Sequence, residues 1–165
     1  MKKTGIFYGS STGMTADVAR RLAKRLDVAP EDVHNVADSD PALLGDYELL
    51  VLGTSTHGLG ELQQDWYDFL AGASVLDLRG HRMAIFGLGD ESMADTFCSA
   101  VGELYHRLKG TGAVLVGEYP ADVYDFKTSG AKDGDTMYGL LLDEVNRPDI
   151  TDKRLDLWAA IIKKA

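Results

Sequence analysis

The sequence predicts an α/β protein built on a doubly wound, five-stranded parallel sheet with helices on both faces. Three observations carry that prediction. Strand-like apolar runs alternate with amphipathic helical patterns along all 165 residues. The run Glu48-Leu49-Leu50-Val51-Leu52-Gly53 is almost continuously apolar, as a central strand covered on both faces must be. Glycine- and hydroxyl-rich segments follow the strands, where an open parallel sheet gathers its ligand-binding loops. Right-handed crossovers between parallel strands place helices on the two faces in turn.

The elements follow in order. Thr4–Tyr8 is predicted as strand one. The next helix sets Ala19, Leu22, Ala23 and Leu26 on one face, with Arg20, Arg21, Lys24 and Arg25 largely outside it. Asp32–Val36 is a short, polar strand two, expected near an edge. Glu48–Gly53 is strand three, followed by a helix over Gln63–Ala71 and strand four over Met83–Gly87. Phe97, Val101, Leu104 and Leu108 recur at helical spacing. Strand five begins at Ala113–Val116, breaks into Gly-, Asp- and Ser-rich sequence from Gly117 to Gly134, and resumes at Tyr138–Leu142. Pro148, Thr151, Leu155, Trp158, Ile161 and Ile162 mark a capped, amphipathic last helix. The segment reads as one domain over residues 1–165, with no repeat or linker.

Composition excludes several classes. The formal charge is −9, with acidic residues dispersed rather than gathered in a tail. A nucleic-acid binder would need a basic stripe; an acidic surface suits either plain solubility or a basic partner. The single cysteine, Cys98, rules out an internal disulfide or a thiol metal cluster. His34, His81 and His106 fall in separate elements without ligand spacing and are expected to be surface or structural residues. With no signal-peptide pattern and no apolar run of spanning length, a cytoplasmic protein without membrane contact is expected.

Chemistry is concentrated in three loops. Gly9-Ser10-Ser11-Thr12-Gly13-Met14-Thr15 sits between strand one and the first helix. Amides at a helix N-terminus lack intrahelical partners and face the positive end of the dipole, so the loop is suited to an anion. It holds no Lys or Arg and does not match the Gly-x-x-x-x-Gly-Lys-[Ser/Thr] pattern of a polyphosphate loop; a neutral cradle suits one monophosphate on a larger ligand. Taken alone, the same residues also read as a helix cap with no ligand. Thr54–Leu62 follows strand three and Gly87–Phe97 follows strand four. All three are expected at one edge of the sheet, and that convergence favours a binding site.

These motifs together resemble the flavodoxins, small FMN-carrying electron-transfer proteins. Ser10–Thr15 looks like their phosphate loop. The segment from Thr54 to Trp66, with His57, Gly58, Leu59, Gly60 and Glu61, resembles their second loop. Gly87-Leu88-Gly89-Asp90 with Ala94-Asp95-Thr96-Phe97 resembles the third. Val123–Phe126 and Gly139–Glu144 resemble the insertion and resumed strand of the long-chain subclass. The resemblance covers essentially the whole chain and implies a flavodoxin-like fold whose last strand is interrupted by an inserted loop.

It also implies a function: non-covalent binding of FMN and low-potential, one-electron shuttling through a stabilised neutral semiquinone, with no substrate of the chain's own. Ser10, Ser11, Thr12, Gly13, Met14 and Thr15 would hold the phosphate. Thr54, Ser55, Thr56, His57 and Gly58, with Gly87, Leu88, Gly89 and Asp90, would border the ribityl chain and flavin ring. Met93, Asp95, Phe97 and Cys98 complete the expected set; Asp95 would accept hydrogen bonds from ribityl hydroxyls or simply charge a helix start. The Gly58 carbonyl is expected to turn toward flavin N5–H in the reduced forms. Such a flip passes through positive φ, which glycine tolerates; the alternative is a glycine serving a tight turn. Implied partners are basic-surfaced redox proteins, such as a flavodoxin reductase and a terminal oxidoreductase, met by a monomer through an acidic rim including Glu61 and Asp65.

Departures from the family pattern are specific. The positions that often carry a tryptophan and a tyrosine over the flavin faces correspond here to His57 and Met93, and the third loop is about one residue short. Trp66 and Tyr67 lie beyond the loop in the predicted helix. The flavin would then be flanked by an imidazole and a thioether, or Met14 or Leu59 would face the ring instead. Tyr124 and Phe126 are expected to pack the insertion. Two other classes compare poorly. An FMN-dependent NAD(P)H:quinone oxidoreductase of related fold lacks a nicotinamide fingerprint here, and a phospho-receiver needs acidic residues where Gly9-Ser10 and Thr54-Ser55 stand.

Overall fold

The computed structural model describes every residue except 58–59, 93–95 and 125–128. In chain order the elements are β1 (Lys2–Gly9), α1 (Met14–Arg25), β2 (Val33–Asn35), β3 (Tyr47–His57), β4 (Glu61–Leu62), α2 (Asp65–Ala73) and β5 (Arg82–Leu88). They continue with α3 (Ser99–Leu108), β6 (Val114–Leu115), β7 (Tyr119–Pro120), β8 (Lys132–Asp133), β9 (Thr136–Met137), β10 (Gly139–Leu142) and α4 (Thr151–Lys164). The main sheet runs β10-β5-β3-β1-β2, all parallel. Strand order therefore reverses between β1 and β3, and loops leaving their C-terminal ends open onto one crevice.

The expected five-strand order is present, with the fifth position shared. β6 pairs with the start of β5 through Arg82↔Val114, and β10 pairs with its end through Gly139↔Ile85 to Leu142↔Leu88. Between them the insertion forms its own antiparallel sheet, β7-β9-β8. Tyr124 packs that insertion, as expected: its ring lies 5.8 Å from Phe97 and 4.6 Å from the Arg154 guanidinium, and its hydroxyl accepts from Leu141 N at 3.0 Å.

The core lies on both faces of the sheet. Ile6, Phe7, Leu50, Val51, Leu52, Ala84, Ile85 and Phe86 are essentially inaccessible, as are Val18, Leu22, Val101, Leu104, Trp158 and Ile162 of the helices. Trp66 is also sealed in, and its indole N–H donates to Gly53 O at 2.9 Å. β2 closes one edge with partly buried residues, matching its polar sequence. There Lys2 and Tyr47 both donate to Asp32 Oδ1 at 2.8 Å. Tyr47 has one hydroxyl proton, so His34 Nε2, 2.8 Å away, must be the donor to that oxygen. The two donors hold the Asp32 carboxyl below its usual range, and burial pushes the His34 imidazole down.

Arginines of α1 tie it to the C-terminal segment. Arg21 pairs with Glu144 and, at 2.9 Å, with Asp152, while Arg25 reaches Asp152 at 3.0 Å and Asp156 at 2.6 Å. Among the described residues no helix is long and apolar enough to cross a membrane, and no group of His, Cys, Asp and Glu is placed to hold a metal ion.

Two expectations need correction. β3 continues through Thr54–His57, which composition assigned to a loop, because Gly9↔Thr54 extends the pairing with β1 and Thr56↔Leu62 folds β4 back onto it. The third helix starts at Ser99 rather than at Phe97, the first residue of the helical spacing. Cys98 sits at φ 51°, in the left-handed region, so Phe97 is turned into the core before the helix begins.

Candidate functional site

The first loop is organised by Ser10. Its Oγ accepts from Gly13 N at 3.1 Å and from Ala16 N at 3.4 Å, which leaves the hydroxyl proton free to donate outward. Gly13 takes φ 91° at the N-cap, and a Cβ there would meet nothing within 4 Å, so glycine is required by conformation and not by space. Ser11, Thr12 and Met14 are exposed, whereas Thr15 is buried at the first turn. Arg21, one turn on from Asp17, is engaged with Asp17, Glu144 and Asp152. The cradle itself therefore remains neutral, as its sequence implies.

Gln63 welds the second loop to the first. It is 2% exposed; its N–H donates to Thr54 Oγ1 at 3.2 Å, and its Nε2 donates to Ser11 Oγ at 3.2 Å and Asp65 Oδ2 at 2.8 Å. Its Oε1 accepts from Asp65 N at 3.0 Å. A Cβ on Gly9 would sit 2.3 Å from that Oε1 and 2.7 Å from the Trp66 ring, so Gly9 permits the close approach. The Asp65 carboxylate is thus turned inward to Gln63, and of the expected acidic rim only Glu61 is fully exposed. At the end of β3, His57 is exposed and its Nε2 lies 2.8 Å from Ser55 Oγ. Thr56 Oγ1 is buried without a hydrogen-bond partner, an orphaned donor and acceptor at the cleft wall.

The third loop is held by the turn after β10. Gly89 N donates to Leu142 O at 2.9 Å. Asp143, 1% exposed, accepts from Glu91 N and Asn146 N at 2.8 Å and Val145 N at 3.0 Å. Asn146 Nδ2 bridges Asp90 Oδ1 at 2.6 Å and Asp143 Oδ2 at 2.8 Å. Donation from Ser92, then from Asn146, holds the Asp90 carboxyl below its ordinary value.

These segments meet in a cleft of about 160 Å³ lined by Thr12, Met14, Thr15, Ser55, Thr56, His57, Leu88, Gly89, Asp90, Glu144 and Val145. It thus gathers residues from all three loops that the sequence singled out. A second cleft, beyond His57, is lined by Ser11, Glu61, Leu62, Gln64 and Tyr67. The remaining expected residues stand behind these surfaces. Thr54 is buried and ties Ser55 to Gln63; Gly87 is covered by α3, where a Cβ would lie 2.2 Å from Val101 Cγ2. Phe97 and Cys98 were expected to bind cofactor, but their side chains are 1% and 0% exposed and pack beneath the loop. Burial pushes the Cys98 thiol well up, so it stays protonated and unreactive. Gly58, Met93 and Asp95, with Leu59 and Phe126, lie outside the described residues.

Four contributors escaped the sequence reading: Gln63, Glu144, Val145 and Asn146. Gln63 was placed in the second-loop motif and at the start of a helix, and Glu144 at the end of the resumed strand, without a role; Val145 and Asn146 were not singled out. An Asp-Glu-x-Asn run after an apolar strand is a signal that could have indicated a loop-pinning turn.

A parallel sheet with a neutral anion cradle at its switch point, flanked by two further strand-end loops, defines a mononucleotide-binding α/β protein. The flavodoxin family model matches residues 6–158, and the chain belongs to that family. It is 39% identical to flavodoxin 1 of Escherichia coli K12 over 166 aligned residues, covering 99% of this chain and 94% of the relative. Flavodoxin 1 of Azotobacter vinelandii is 40% identical, with 99% and 97% covered. In structure the chain is similar to Fusobacterium nucleatum flavodoxin bound to flavin mononucleotide, with a TM-score of 0.90 and 29% identity over 99% of this chain and 98% of that one. The K13G variant of that protein gives a TM-score of 0.91 at 30% identity, with 99% and 96% covered.

Proposed function

We propose that this chain holds FMN non-covalently and carries single electrons at low potential between other redox proteins, with no substrate of its own. The observation that carries the reading is the convergence of the three loops on one cleft whose wall includes the orphaned Thr56 hydroxyl. The Thr56 hydroxyl, buried beside that cleft without a partner, is a polar group that a bound ligand or an ordered water would satisfy. The Fusobacterium structures, described as bound to flavin mononucleotide, support the choice of ligand.

In this reading Ser10–Thr15 takes the phosphate through first-turn amides and the outward hydroxyl of Ser10. Bound flavin supplies the one-electron chemistry; the protein supplies its environment. Ser55, Thr56, His57, Leu88, Gly89 and Asp90 border the ring and ribityl chain, and Met93 and Asp95 are proposed as further contacts. Phe97 and Cys98 support that loop from beneath. Met14, 39% exposed at the cleft, is an additional apolar contact. The backbone carbonyl of Gly58 is the proposed acceptor for flavin N5–H, which stabilises the neutral semiquinone. Basic-surfaced redox proteins, a reductase and a terminal oxidoreductase, are the proposed partners of a cytoplasmic monomer with charge −9.

Anaerobic spectroelectrochemistry of the FMN-loaded protein tests the reading. The expected result is two one-electron steps with a blue radical between them, and a much smaller radical yield in Gly58→Val. Each factor of ten lost from the radical alone lowers the first potential and raises the second by about 59 mV each, which brings the two together. A single two-electron step, with NADH-driven quinone reduction, would overturn electron shuttling in favour of quinone-reductase activity.

A further inference from the structure

We infer that Asn146 is a positioning residue that sets the width of the flavin cleft by clasping its third loop to the turn after β10. The inference rests on the FMN reading above. The clasp joins two walls of the same cleft: Leu88, Gly89 and Asp90 line one side, Glu144 and Val145 the other. Asn146, itself exposed, follows Val145 in the chain. Its Nδ2 lies 2.6 Å from Asp90 Oδ1 and 2.8 Å from Asp143 Oδ2. Both acceptors belong to carboxylates, which offer no proton, so the amide must present its NH₂ and not its carbonyl to this pair.

The surrounding bonds make Asn146 the adjustable link in an otherwise fixed arrangement. Asp143 is immobilised by the amides of Glu91, Val145 and Asn146, all between 2.8 and 3.0 Å. Asp90 is drawn toward Ser92 N at 2.8 Å and Ser92 Oγ at 2.5 Å. The two acids face each other through the shared NH₂ group, which screens their repulsion and fixes their separation. Arg147 Nη1 is 3.8 Å from Glu91 Oε2 at the outer end of the same contact. Without the amide, Asp90 and Asp143 lose their shared donor, and the loop carrying Gly89 and Asp90 is held to the turn by the Gly89 N–Leu142 O and Glu91 N–Asp143 Oδ2 bonds alone.

Asp143, 1% exposed, would lose a charge-assisted donor from a buried oxygen. Asn146→Ala is therefore expected to raise the FMN dissociation rate about tenfold or more. Asn146→Asp puts a third carboxylate between two others. Its FMN affinity is expected to be weak at pH 8 and to recover several-fold toward pH 5, as the introduced acid takes up a proton and regains a donor. Neither wild type nor Asn146→Ala should share that added pH slope.

The deciding experiment is stopped-flow FMN release and fluorescence titration for wild type, Asn146→Ala, Asn146→Asp, Asp90→Ala and the Asp90→Ala/Asn146→Ala double variant. Urea unfolding of each apoprotein accompanies it. The clasp requires faster release in folded Asn146→Ala and strong non-additivity with Asp90→Ala. Unchanged release, additive effects, or loss of apoprotein stability alone would overturn it and leave Asn146 as a turn support. Failure of wild type to bind FMN at all would instead remove the underlying reading.

Discussion

Gln63→Glu replaces one amide nitrogen with one oxygen and reverses the logic of the joint between the first two loops. In the native protein Nε2 donates to Asp65 Oδ2 at 2.8 Å and to Ser11 Oγ at 3.2 Å from a site only 2% exposed. The introduced side chain, once ionised, offers no donor and faces the Asp65 carboxylate directly. Two like charges about 4 Å apart at an effective dielectric of about 20 repel by about 4 kcal/mol. Asp65 is partly exposed, so solvent reduces that to about 2–3 kcal/mol. Loss of the charge-assisted donor adds about 1–2 kcal/mol, for a deficit of about 3–5 kcal/mol at pH 8. When protonated, the introduced acid regains an O–H that can replace the Nε2 donor to Asp65. Burial and the neighbouring charge raise the folded-state value of the new acid, so its stability is fully present below the unfolded value near 4.3 and lost as pH rises through the folded value. Urea unfolding of the apoprotein between pH 5 and 8, referenced to wild type at each pH, measures this. Gln63→Leu serves as the control, with a deficit that does not change with pH. The same deficit for Gln63→Glu at pH 5 and pH 8 would refute the inward pairing of Gln63 with Asp65.

Thr56→Val removes the unpartnered buried hydroxyl; the apoprotein should unfold at equal or higher urea, by up to about 1 kcal/mol, while FMN titration shows weaker binding. Gly9→Ala forces a methyl to within 2.3 Å of Gln63 Oε1 and 2.7 Å of Trp66, both nearly fully buried; thermal unfolding should register a loss of about 1–3 kcal/mol. Asp32 is held below its ordinary value by Lys2 and Tyr47, so its contribution is present above the unfolded value near 3.9 and lost as pH falls through the folded one. Acid titration followed by circular dichroism should show Asp32→Asn already weakened at pH 7 and losing less than wild type below pH 4.

The sheet was legible because parallel strands covered on both faces must be written in consecutive apolar residues. Leu50, Val51 and Leu52 are all essentially inaccessible, and so are Ala84, Ile85 and Phe86. Strand ends were less legible. Thr54, Ser55, Thr56 and His57 have a loop's composition and are extended only because β1 and β4 pair with them. The start of α3 was misplaced because Phe97 keeps the helical spacing of Val101 and Leu104, and nothing in a cysteine announces a φ of 51°. Gln63 and Gln64 are equivalent on paper; the start of α2 at Asp65 buries the first and exposes the second. The Ser10–Thr15 loop is a local motif, and its turn at a helix N-terminus was legible from a short window. The Asn146 contact joins residues 56 apart, and no window along the chain contains both ends.

The arginine ties between α1 and the C-terminal segment bear on how the molecule is made. Arg21 and Arg25 meet Glu144, Asp152 and Asp156, partners 123 to 131 residues downstream. On a ribosome, the helix that carries the cradle emerges early, but the acids that draw its arginines aside emerge more than a hundred residues later. Until then Arg21 has, of its acidic partners, only the local Asp17, at 3.4 Å. Only when the C-terminal segment docks does α1 acquire the long-range partners that neutralise its arginines.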